Sequence, residues 1–366
     1  MFNKIIIVAG ARPNFIKIAP LLQEFKRYKK KFKTTLVHTG QHYDYEMSEV
    51  FFRDLNIPKP DVYLGVRPEM SIGQTSKIAA AFEGVALKEK PDLIIVVGDV
   101  NSTLACSLVA SKLHIRLAHI ESGLRSFEKS MPEEINRIVT DSLSDYLFVS
   151  EKSGMINLKR EGLNSRKVNF VGNIMIDTLL SDIQKIGASD ILNKLRLTPK
   201  TYTVLTLHRP DNVDSGKSLF EIYGVLKHIA KKIKVIYPIH PRTEKMIKIH
   251  KFWDRFEKIN NLLMIVPLAY TDFIKLIKEA RFVLTDSGGI QEETTFLRVP
   301  CLTMRESTER PVTIEKGTAY LVGRNKKKIL SYVNRILKGK TKKGSIPALW
   351  DGKTAKRIVE ILAANR

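Results

Sequence analysis

The sequence predicts an α/β protein built from two doubly wound, Rossmann-like parallel-sheet domains that face a central cleft. Short β-branched runs alternate with longer amphipathic stretches, as strands and helices do in such domains. The alternation pauses after Gly172 and then starts again, which indicates a second domain of the same kind. A chain of 366 residues, 43% of them hydrophobic, is long enough for two domains that each bury a core.

The first domain is predicted at residues 1–172. Its strands are expected at residues 5–9, 34–39, 93–97, 116–120, 146–149 and 168–171, with helices at 15–30, 72–88 and 102–113. This order requires right-handed crossovers, and therefore a parallel sheet with helices on both faces. A last helix, expected at residues 354–363, has no strand after it, and we assign residues 352–366 to the same domain.

The second domain is predicted at residues 173–351. Two helical segments come first, and strands are then expected at residues 203–207, 235–239, 262–266, 282–285 and 301–304. Doubly wound sheets bind ligands beyond the carboxyl ends of their strands, so the two domains would present both sets of strand ends to one cleft. Residues at strand ends are therefore the candidates for chemistry.

The formal net charge of +23 arises from basic clusters scattered along the chain, at residues 26–33, 231–234, 324–328 and 338–343. No recognition-helix, RNP or zinc-finger pattern surrounds them, so we predict a solvated basic surface and no nucleic-acid partner. A nucleic-acid binder is the alternative, although it would explain the charge alone. In either case the positive field would attract a phosphorylated substrate.

The cysteines and the glycine pattern argue against several classes of protein. Cys106 and Cys301 are far apart with no CxxC pair, which disfavours a disulfide framework or a zinc site and favours the cytoplasm. The N-terminal apolar run is too short for a signal peptide, and no later segment approaches the ~18 apolar residues of a membrane span. Neither GxGxxG nor GxxxxGK(S/T) follows a strand, so a dinucleotide cofactor bound in the usual way is not expected.

Residues 281–293 contain the most informative local pattern, in which a short apolar strand runs into Ser-Gly-Gly at residues 287–289 and then into a helix. A glycine pair lets the backbone approach a ligand, and the N–H groups at the helix start attract phosphate. Glu293 lies in the second helical turn, where its carboxylate could accept hydrogen bonds from a ribose diol. The pattern indicates a nucleotide. In the structural alternative, Ser287 caps the helix and Glu292 is a helix-start carboxylate.

Acidic residues follow two strands of the first domain. Glu121 ends one strand, Asp99 follows another, and Glu133 and Glu134 begin a helix. Several carboxylates brought to one sheet edge would suit acid–base chemistry. The structural alternatives are helix-dipole stabilisation at the surface by Glu133 or Glu134, and capping of the next helix by Asp99.

Basic residues also lie at strand ends. His208 ends the first strand of the second domain on a loop, so a buried core imidazole is the less favoured interpretation. Arg12 and Lys17 follow the first strand of the chain, and Arg310 lies in the second domain. Such cations can pair with a diphosphate. For Arg12 and Lys17 the alternative is an interdomain salt bridge.

Eight short motifs occur in order along essentially the whole chain. They are Gly-Ala-Arg-Pro-Asn-Phe-Ile-Lys (residues 10–17), Thr-Gly-Gln-His (39–42), Val-Gly-Asp (97–99), His-Ile-Glu-Ser-Gly-Leu-Arg (119–125), Pro-Glu-Glu-x-Asn-Arg (132–137), His-Arg (208–209), Asp-Ser-Gly-Gly-Ile-Gln-Glu-Glu (286–293) and Thr-Glu-Arg-Pro (308–311). Together they resemble the non-hydrolysing UDP-N-acetylglucosamine 2-epimerase family. A single motif is weak support, whereas eight in sequence are strong.

The resemblance implies a glycosyltransferase-B architecture, a homodimer, and interconversion of UDP-N-acetylglucosamine with UDP-N-acetylmannosamine for cell-surface polysaccharide or glycan precursors. It implies no cofactor and no metal, because elimination and re-addition of UDP through a 2-acetamidoglucal can invert C2 by proton transfer alone. Carried over residue by residue, it assigns catalysis to Asp99, Glu121, Glu133 and His208. It assigns UDP binding to Arg12, Lys17, Phe273, Ser287, Gly288, Gly289, Glu293 and Arg310.

Two segments depart from the bacterial pattern of this family. At residues 41–45, Gln-His is followed by Tyr-Asp-Tyr where bacterial members have arginine, so allosteric activation by a second substrate molecule stays open. Residues 208–214 are closer to relatives that epimerise a UDP-2,3-diacetamido-uronic acid. The alternatives are therefore 2-epimerisation of that related UDP-sugar, a hydrolysing epimerase, and a glycosyltransferase of the same architecture. Which carboxylate is the base and which is the acid is also left open.

Overall fold

A computed structural model describes residues 2–40, 52, 54–67 and 71–364 of the chain. The chain divides into two compact units, Met1–Asp182 with Ala348–Arg366, and Ile183–Pro347. The sequence had suggested boundaries at residues 172/173 and 351/352. The first unit extends further because the helix after residue 173 packs on the first helix of the chain.

The described strands of the first unit form one parallel sheet. They are β1 (Lys4–Ala9), β2 (Lys33–His38), β3 (Val62–Tyr63), β4 (Leu93–Val97), β5 (Arg116–Ser122), β6 (Tyr146–Val149) and β7 (Val168–Phe170). Their order is β3-β2-β1-β4-β5-β6-β7, and each neighbouring pair is parallel. The direction of winding reverses between β1 and β4, where doubly wound sheets bind ligands.

Helices cover this sheet and bury its central strands. They are α1 (Arg12–Arg27), α2 (Ser71–Glu89), α3 (Asn101–Lys112), α4 (Pro132–Leu143), α5 (Lys152–Arg160), α6 (Ile174–Ser181) and the C-terminal helix Thr354–Ala364. Every residue of β4 is buried, since a parallel strand with helices on both faces has no solvent side. The C-terminal helix packs against α1 and α6, which joins it to the first unit.

The second unit repeats the plan with its own core. Its described strands are β8 (Tyr202–Thr206), β9 (Lys234–Pro238), β10 (Leu262–Ile265), β11 (Phe282–Thr285), β12 (Cys301–Thr303) and β13 (Ala319–Leu321). The strands are parallel in the order β10-β9-β8-β11-β12-β13, so the reversal lies between β8 and β11. The predicted fold class of parallel-sheet α/β units is confirmed.

The second unit begins with short helices, and longer helices follow along the chain. They are α7 (Ile183–Ala188), α8 (Ile191–Lys194), α9 (Pro210–Val213), α10 (Gly216–Ala230), α11 (Pro241–Ile249), α12 (Trp253–Glu257), α13 (Tyr270–Glu279), α14 (Gly288–Leu297), α15 (Pro311–Glu315) and α16 (Lys326–Leu337). Within the described part of the chain, no helix is both long and apolar enough to cross a membrane.

Four elements differ from the sequence-based prediction. The helix expected at residues 15–30 begins earlier, at Arg12, because proline is compatible with the first turn of a helix. Strands β3 and β13 were not predicted, since they have only two and three residues and lie at sheet edges, too short for a periodic pattern. Strand β5 was expected to end at residue 120 but continues to Ser122 past an irregularity in its pairing.

Candidate active site

The candidate residues of the first unit lie at the carboxyl ends of β1, β4 and β5. The Asn14 side-chain oxygen accepts hydrogen bonds from the N–H groups of Gly10 and Ala11 at 3.2 and 3.0 Å. The Asn14 amide group donates to the Val97 carbonyl at 2.9 Å. Asn14 therefore fixes the start of α1, where Arg12 is the first residue, to the end of β4.

Lys17 and Glu121 form a buried ion pair beside Gly98. The Lys17 ammonium contacts Oε2 of Glu121, and the two side chains are 8% and 3% exposed. Gly98 has φ +71°, and a Cβ there would lie 3.2 Å from Lys17 Nζ and 3.4 Å from Glu121 Oε2. A side chain at this position would crowd the pair, so glycine suits it. The alternative of an interdomain salt bridge is wrong for Lys17, because Glu121 lies in the same unit.

Glu121 has a strained backbone. Its φ is +71°, in the left-handed region where a residue with a side chain is held at a cost of about 1–3 kcal/mol. The register between β5 and β6 shifts between Ile120 and Ser122, so the irregularity is centred on Glu121. Such irregularities re-aim side chains and concentrate at functional sites. Here the carboxylate is turned towards Lys17 at the carboxyl end of the sheet.

Asp99 lies in the turn after β4 and is tied to α4. Its Oδ2 is 3.3 Å from Arg137 Nη1, and its carbonyl accepts a hydrogen bond from Asn136 Nδ2 at 2.8 Å. The N-cap residue of α3 is Val100, so the capping alternative for Asp99 is wrong. Glu133 precedes Asn136 and Arg137 by about one helical turn, which puts it on the face of α4 that contacts Asp99.

Glu134 supports the loop before α4. Its carboxylate accepts hydrogen bonds from the N–H groups of Ser126 and Phe127, both at 2.9 Å, and from the Ser126 hydroxyl at 3.0 Å. Arg137 Nη2 lies 3.3 Å from the same carboxylate. Because Glu134 is only 1% exposed, the alternative of surface helix-dipole stabilisation is wrong for this residue.

In the second unit, His208 follows β8 and pairs with Asp286, which follows β11. His208 Nδ1 is 2.8 Å from Asp286 Oδ1. Asp286 Oδ2 also accepts from the N–H groups of His208 and Arg209 and from the Asn212 amide, at 3.0, 2.9 and 2.9 Å. Burial alone would raise the pKa of Asp286, but these partners lower it to about 2. The His208 side chain is 40% exposed, so a buried core imidazole is ruled out.

The Ser-Gly-Gly loop at residues 287–289 connects β11 to α14. Ser287 occupies the N-cap position, but its side chain makes no capping hydrogen bond to a described residue, contrary to the structural alternative. A Cβ on Gly288 would lie 2.6 Å from both Arg310 Nη1 and Glu309 Oε1. The start of α14 therefore lies directly against charged side chains, and its first N–H groups form the type of site that binds anions.

Arg310 is held next to Gly288 by buried carboxylates. Its Nε is 2.7 Å from Glu292 Oε1, and its Nη1 contacts Glu309. Arg305 lies 2.6 Å from the other oxygen of Glu309. All four charged side chains are buried. Glu292 is thus a buried partner of Arg310 rather than a simple helix-start carboxylate.

Two more predicted residues lie on helices of the second unit. Glu293 is 4% exposed in the second turn of α14, one residue after Glu292. Phe273 is half-buried near the start of α13, and its N–H donates to the Ala269 carbonyl at 2.9 Å. The helix therefore fixes the backbone at Phe273.

Other sequence-based hypotheses concern residues 41–45, which lie outside the described part of the chain and include His42. Among the described residues, no group of three or more His, Cys, Asp or Glu side chains could hold a metal ion. Cys106 and Cys301 are buried free thiols, and burial raises the pKa of Cys301 to about 11. A reactive thiolate is therefore not expected at Cys301.

Comparison with protein families shows which family the chain belongs to. Residues 24–363 match a family model described as UDP-N-acetylglucosamine 2-epimerase. The chain belongs to the UDP-N-acetylglucosamine 2-epimerase family. Members of this family are isomerases, and the resemblance drawn from the motifs is confirmed.

Several epimerases are similar to this chain over nearly the full length of both proteins. A UDP-N-acetylglucosamine 2-epimerase homolog from Methanococcus maripaludis is 43% identical over 91% of this chain and 92% of its own. The UDP-2,3-diacetamido-2,3-dideoxy-D-glucuronate 2-epimerase of Pseudomonas aeruginosa is 39% identical over 98% of this chain and 99% of its own. A crystal structure of Methanocaldococcus jannaschii UDP-GlcNAc 2-epimerase in complex with UDP-GlcNAc and UDP has a TM-score of 0.93 and 40% identity, covering 98% of this chain and 99% of that chain.

Two partners of the candidate residues in this epimerase were not predicted from the sequence. Asp286 was noticed only as part of a motif, yet Thr285 pairs with Thr206 across parallel strands, so the residues after both strands must meet. Arg137 follows Glu134 by three residues on a helix, which is a readable signal for their ion pair but not for the contact of Arg137 with Asp99. By contrast, the pairing of Lys17 with Glu121 depends on the bend of β5 and has no signal in the sequence.

Proposed function

We propose that this protein interconverts UDP-N-acetylglucosamine and UDP-N-acetylmannosamine by removing and re-adding UDP. A full-length structural relative named for 2-epimerisation and solved with UDP-GlcNAc and UDP supports this proposal. The observation that carries it is Glu121, which is buried, has a strained backbone and is paired with Lys17 beside Gly98. Asp99 is the residue that follows Gly98. An isomerase that inverts a carbon centre by proton transfer needs positioned acid–base side chains, and carboxylates can serve as such groups.

The proposed chemistry has two steps. In the first, the C1–O bond to UDP breaks and the oxygen keeps the electron pair. A carboxylate takes the C2 proton, and the C–H electrons form the C1=C2 double bond of 2-acetamidoglucal. In the second step a UDP oxygen attacks C1 while an acid protonates C2 from the opposite face. Atoms and electrons balance, and the sugar is neither oxidised nor reduced overall.

The proton transfers would fall to Asp99, Glu121 and Glu133, with His208 as the fourth catalytic group. His208 is suited to this because Asp286 fixes its Nδ1 and leaves the ring partly exposed. The diphosphate carries the charge that develops when the C1–O bond breaks, so cations and helix N–H groups near it would stabilise the leaving group. We assign this UDP binding to Arg12, Lys17, Phe273, Ser287, Gly288, Gly289, Glu293 and Arg310.

The proposal is tested by incubating the protein with UDP-N-acetylglucosamine in deuterated water and following the sugar by NMR. Deuterium at C2 with UDP still attached, in both epimers, is the expected result. Release of free N-acetylmannosamine and UDP would replace the proposal with a hydrolysing epimerase. Unchanged, unlabelled substrate would contradict it, and transfer to an added acceptor would indicate a glycosyltransferase.

A second candidate substrate is a UDP-2,3-diacetamido-uronic acid. The Pseudomonas aeruginosa relative named for that sugar matches at 39% identity, and the segment after His208 had suggested the same group of relatives. Asn212 of that segment donates to Asp286 and to the Met304 carbonyl, at 2.9 and 3.3 Å, which gives it a structural role beside His208. The ratio of kcat/KM for the two UDP-sugars, measured in the same deuterium assay, decides between them.

Three further points stay predictions. They are the homodimer, the cytoplasmic location and the supply of precursors for cell-surface polysaccharide or glycans. Sedimentation of the purified protein, with and without UDP, tests the first of them. A monomer that turns over at the full rate would contradict it.

A further inference from the structure

A buried histidine outside the predicted catalytic set touches the three elements that carry the candidate carboxylates. His119 lies on β5, two residues before Glu121, and is 0% exposed. Its Nδ1 is 2.6 Å from Oδ1 of Asp141, which lies on α4. Its Nε2 is 2.8 Å from the carbonyl oxygen of Gly98, in the turn after β4. His119 therefore joins β5 to α4 on one side and to the β4 turn on the other.

Each of the two contacts of His119 requires an N–H on the ring nitrogen that makes it. The Gly98 carbonyl can only accept a hydrogen bond. Asp141 also acts as an acceptor, because its other oxygen receives the Gly123 N–H at 3.0 Å and lies 2.7 Å from Arg125 Nη2. A neutral imidazole has one N–H, so either tautomer would set a lone pair against a lone pair at hydrogen-bond distance. The geometry fits a ring that donates from both nitrogens.

The charges around the ring are consistent with this state. Burial alone would raise the pKa of Asp141, but His119, Arg125 and the Gly123 N–H bring it below its usual value. Arg125 is also paired with Glu161 through two contacts of 2.8 and 2.7 Å. Beyond Gly98 lie the charges of Lys17 and Glu121, which pair with each other. The Asp141 carboxylate is thus the anion that directly faces the ring.

The pair also fixes the backbone beside each candidate carboxylate. The Gly98 carbonyl immediately precedes Asp99, and Gly98 has φ +71°. The Gly123 N–H bound by Asp141 follows Glu121 by two residues, in a stretch where Glu121 and Gly123 both have positive φ. Asp141 itself lies two turns after Glu133 on α4. The same two side chains therefore contact the turns beside Asp99 and Glu121 and the helix that carries Glu133.

We propose that His119 and Asp141 form a buried, doubly hydrogen-bonded imidazolium–carboxylate pair that positions Asp99, Glu121 and Glu133 for proton transfer at C2. His119 and Asp141 are positioning residues, because they act through the turns and the helix that carry those carboxylates. The importance of the pair for turnover rests on the proposed function, whereas its protonation state does not. A displacement of about 1 Å in such groups can cost about 100-fold in rate.

The protonation state is tested on the wild-type protein by NMR with ¹⁵N-labelled histidine at neutral pH. The signals of His119 are assigned by their loss in His119→Asn or, if that variant does not fold, in His119→Gln. Two protonated ring nitrogens that exchange slowly with water are the expected result. One protonated and one unprotonated nitrogen would overturn the proposal, whatever reaction the protein catalyses.

The positioning role is tested with Asp141→Asn and His119→Asn in the C2 deuterium assay. We expect kcat to fall about 100-fold while KM changes little, in proteins that still show a cooperative melting transition. The matched control is Asp145→Asn, since Asp145 accepts the Leu117 N–H at 3.0 Å at the other end of β5 and should leave kcat unchanged. Near-normal kcat in both test variants would overturn the proposal. Absence of turnover in the wild type would instead contradict the proposed function and leave the NMR result to decide the protonation state.

Discussion

Glu121 combines a strained backbone with a buried charge, and both features cost free energy in the folded state. The positive φ opposes a residue with a side chain, and burial opposes a carboxylate without a partner. Lys17 offsets the second effect by ion pairing. Residues that break local rules in this way are usually kept for function, which is why this pair supports the proposed chemistry more strongly than its place in a motif does.

Removal of one partner of this pair should destabilise the protein strongly. Lys17→Met and Glu121→Gln each leave a buried polar group without its ionic partner, so we expect each to lower the free energy of unfolding by about 3–5 kcal/mol. Urea unfolding of both variants and of the double variant measures this, and the double variant should lose less than the sum of the two. The control is Glu244→Gln in the exposed pair with Lys248, where a loss below about 1 kcal/mol is expected. Equal small losses at both sites would contradict the prediction.

At the scale of elements, a buried carboxylate joins α6 to the C-terminal helix. Asp177 is 5% exposed and accepts the Ala355 N–H at 2.7 Å. Burial outweighs this and other hydrogen bonds and raises the pKa of Asp177 to about 6. The folded state therefore binds the Asp177 proton more tightly than the unfolded state does. This contribution to stability is complete below the usual value of 3.8 and is lost as the pH rises through 6.

Asp177→Asn should accordingly stabilise the protein at neutral pH. The amide can still accept the Ala355 N–H without a buried charge, so we expect a gain of at most roughly 3 kcal/mol at neutral pH and little difference in acid. Thermal unfolding across a pH series measures both limits. A variant that is less stable than the wild type at neutral pH would show that the Ala355 contact needs the charge.

The start of α14 offers an element-scale prediction on ligand binding. In Gly288→Ala the new Cβ would meet Arg310 and Glu309 at 2.6 Å, so the charged cluster beside the loop must move. We expect UDP affinity, measured by calorimetry, to fall at least about 10-fold. The control is Gly84→Ala in α2, where a Cβ meets nothing within 4 Å and where alanine should add about 0.5–1 kcal/mol of stability. Unchanged UDP affinity in Gly288→Ala would argue against an anion site at this loop.

Helices and strands could be predicted from the sequence wherever the segment with a recognisable hydrophobic pattern was long enough. Strands such as β4 and β11 were located to the residue, since they are buried apolar runs between turn signals. The edge strands β3 and β13 were missed because their pairing depends on neighbouring strands rather than on their own sequence. The same limit applies to the site: Asp99, Glu121 and His208 could be chosen as strand-end residues, but the pairing of Glu121 with Lys17 and of His119 with Asp141 depends on three-dimensional packing.

At the scale of the whole molecule, the net charge of +23 should influence how fast the substrate arrives. A UDP-sugar is an anion, and a strongly positive protein attracts it over distances that salt shortens, to about 8 Å at physiological ionic strength. We expect kcat/KM to fall roughly two- to tenfold between about 20 mM and about 300 mM NaCl, while kcat changes little, if capture of the substrate is limiting.

The exposed lysines at the start of α16 allow this effect to be separated from contacts at the site. Replacement of Lys326, Lys327 and Lys328 by glutamine removes three charges from an exposed helical turn, and replacement by arginine keeps them. The glutamine variant should show a lower kcat/KM at low salt and a shallower salt dependence, whereas the arginine variant should match the wild type, because the long-range field depends on charge and not on the side chain that carries it. If the two variants behave alike, the charge of these three lysines has no part in substrate capture.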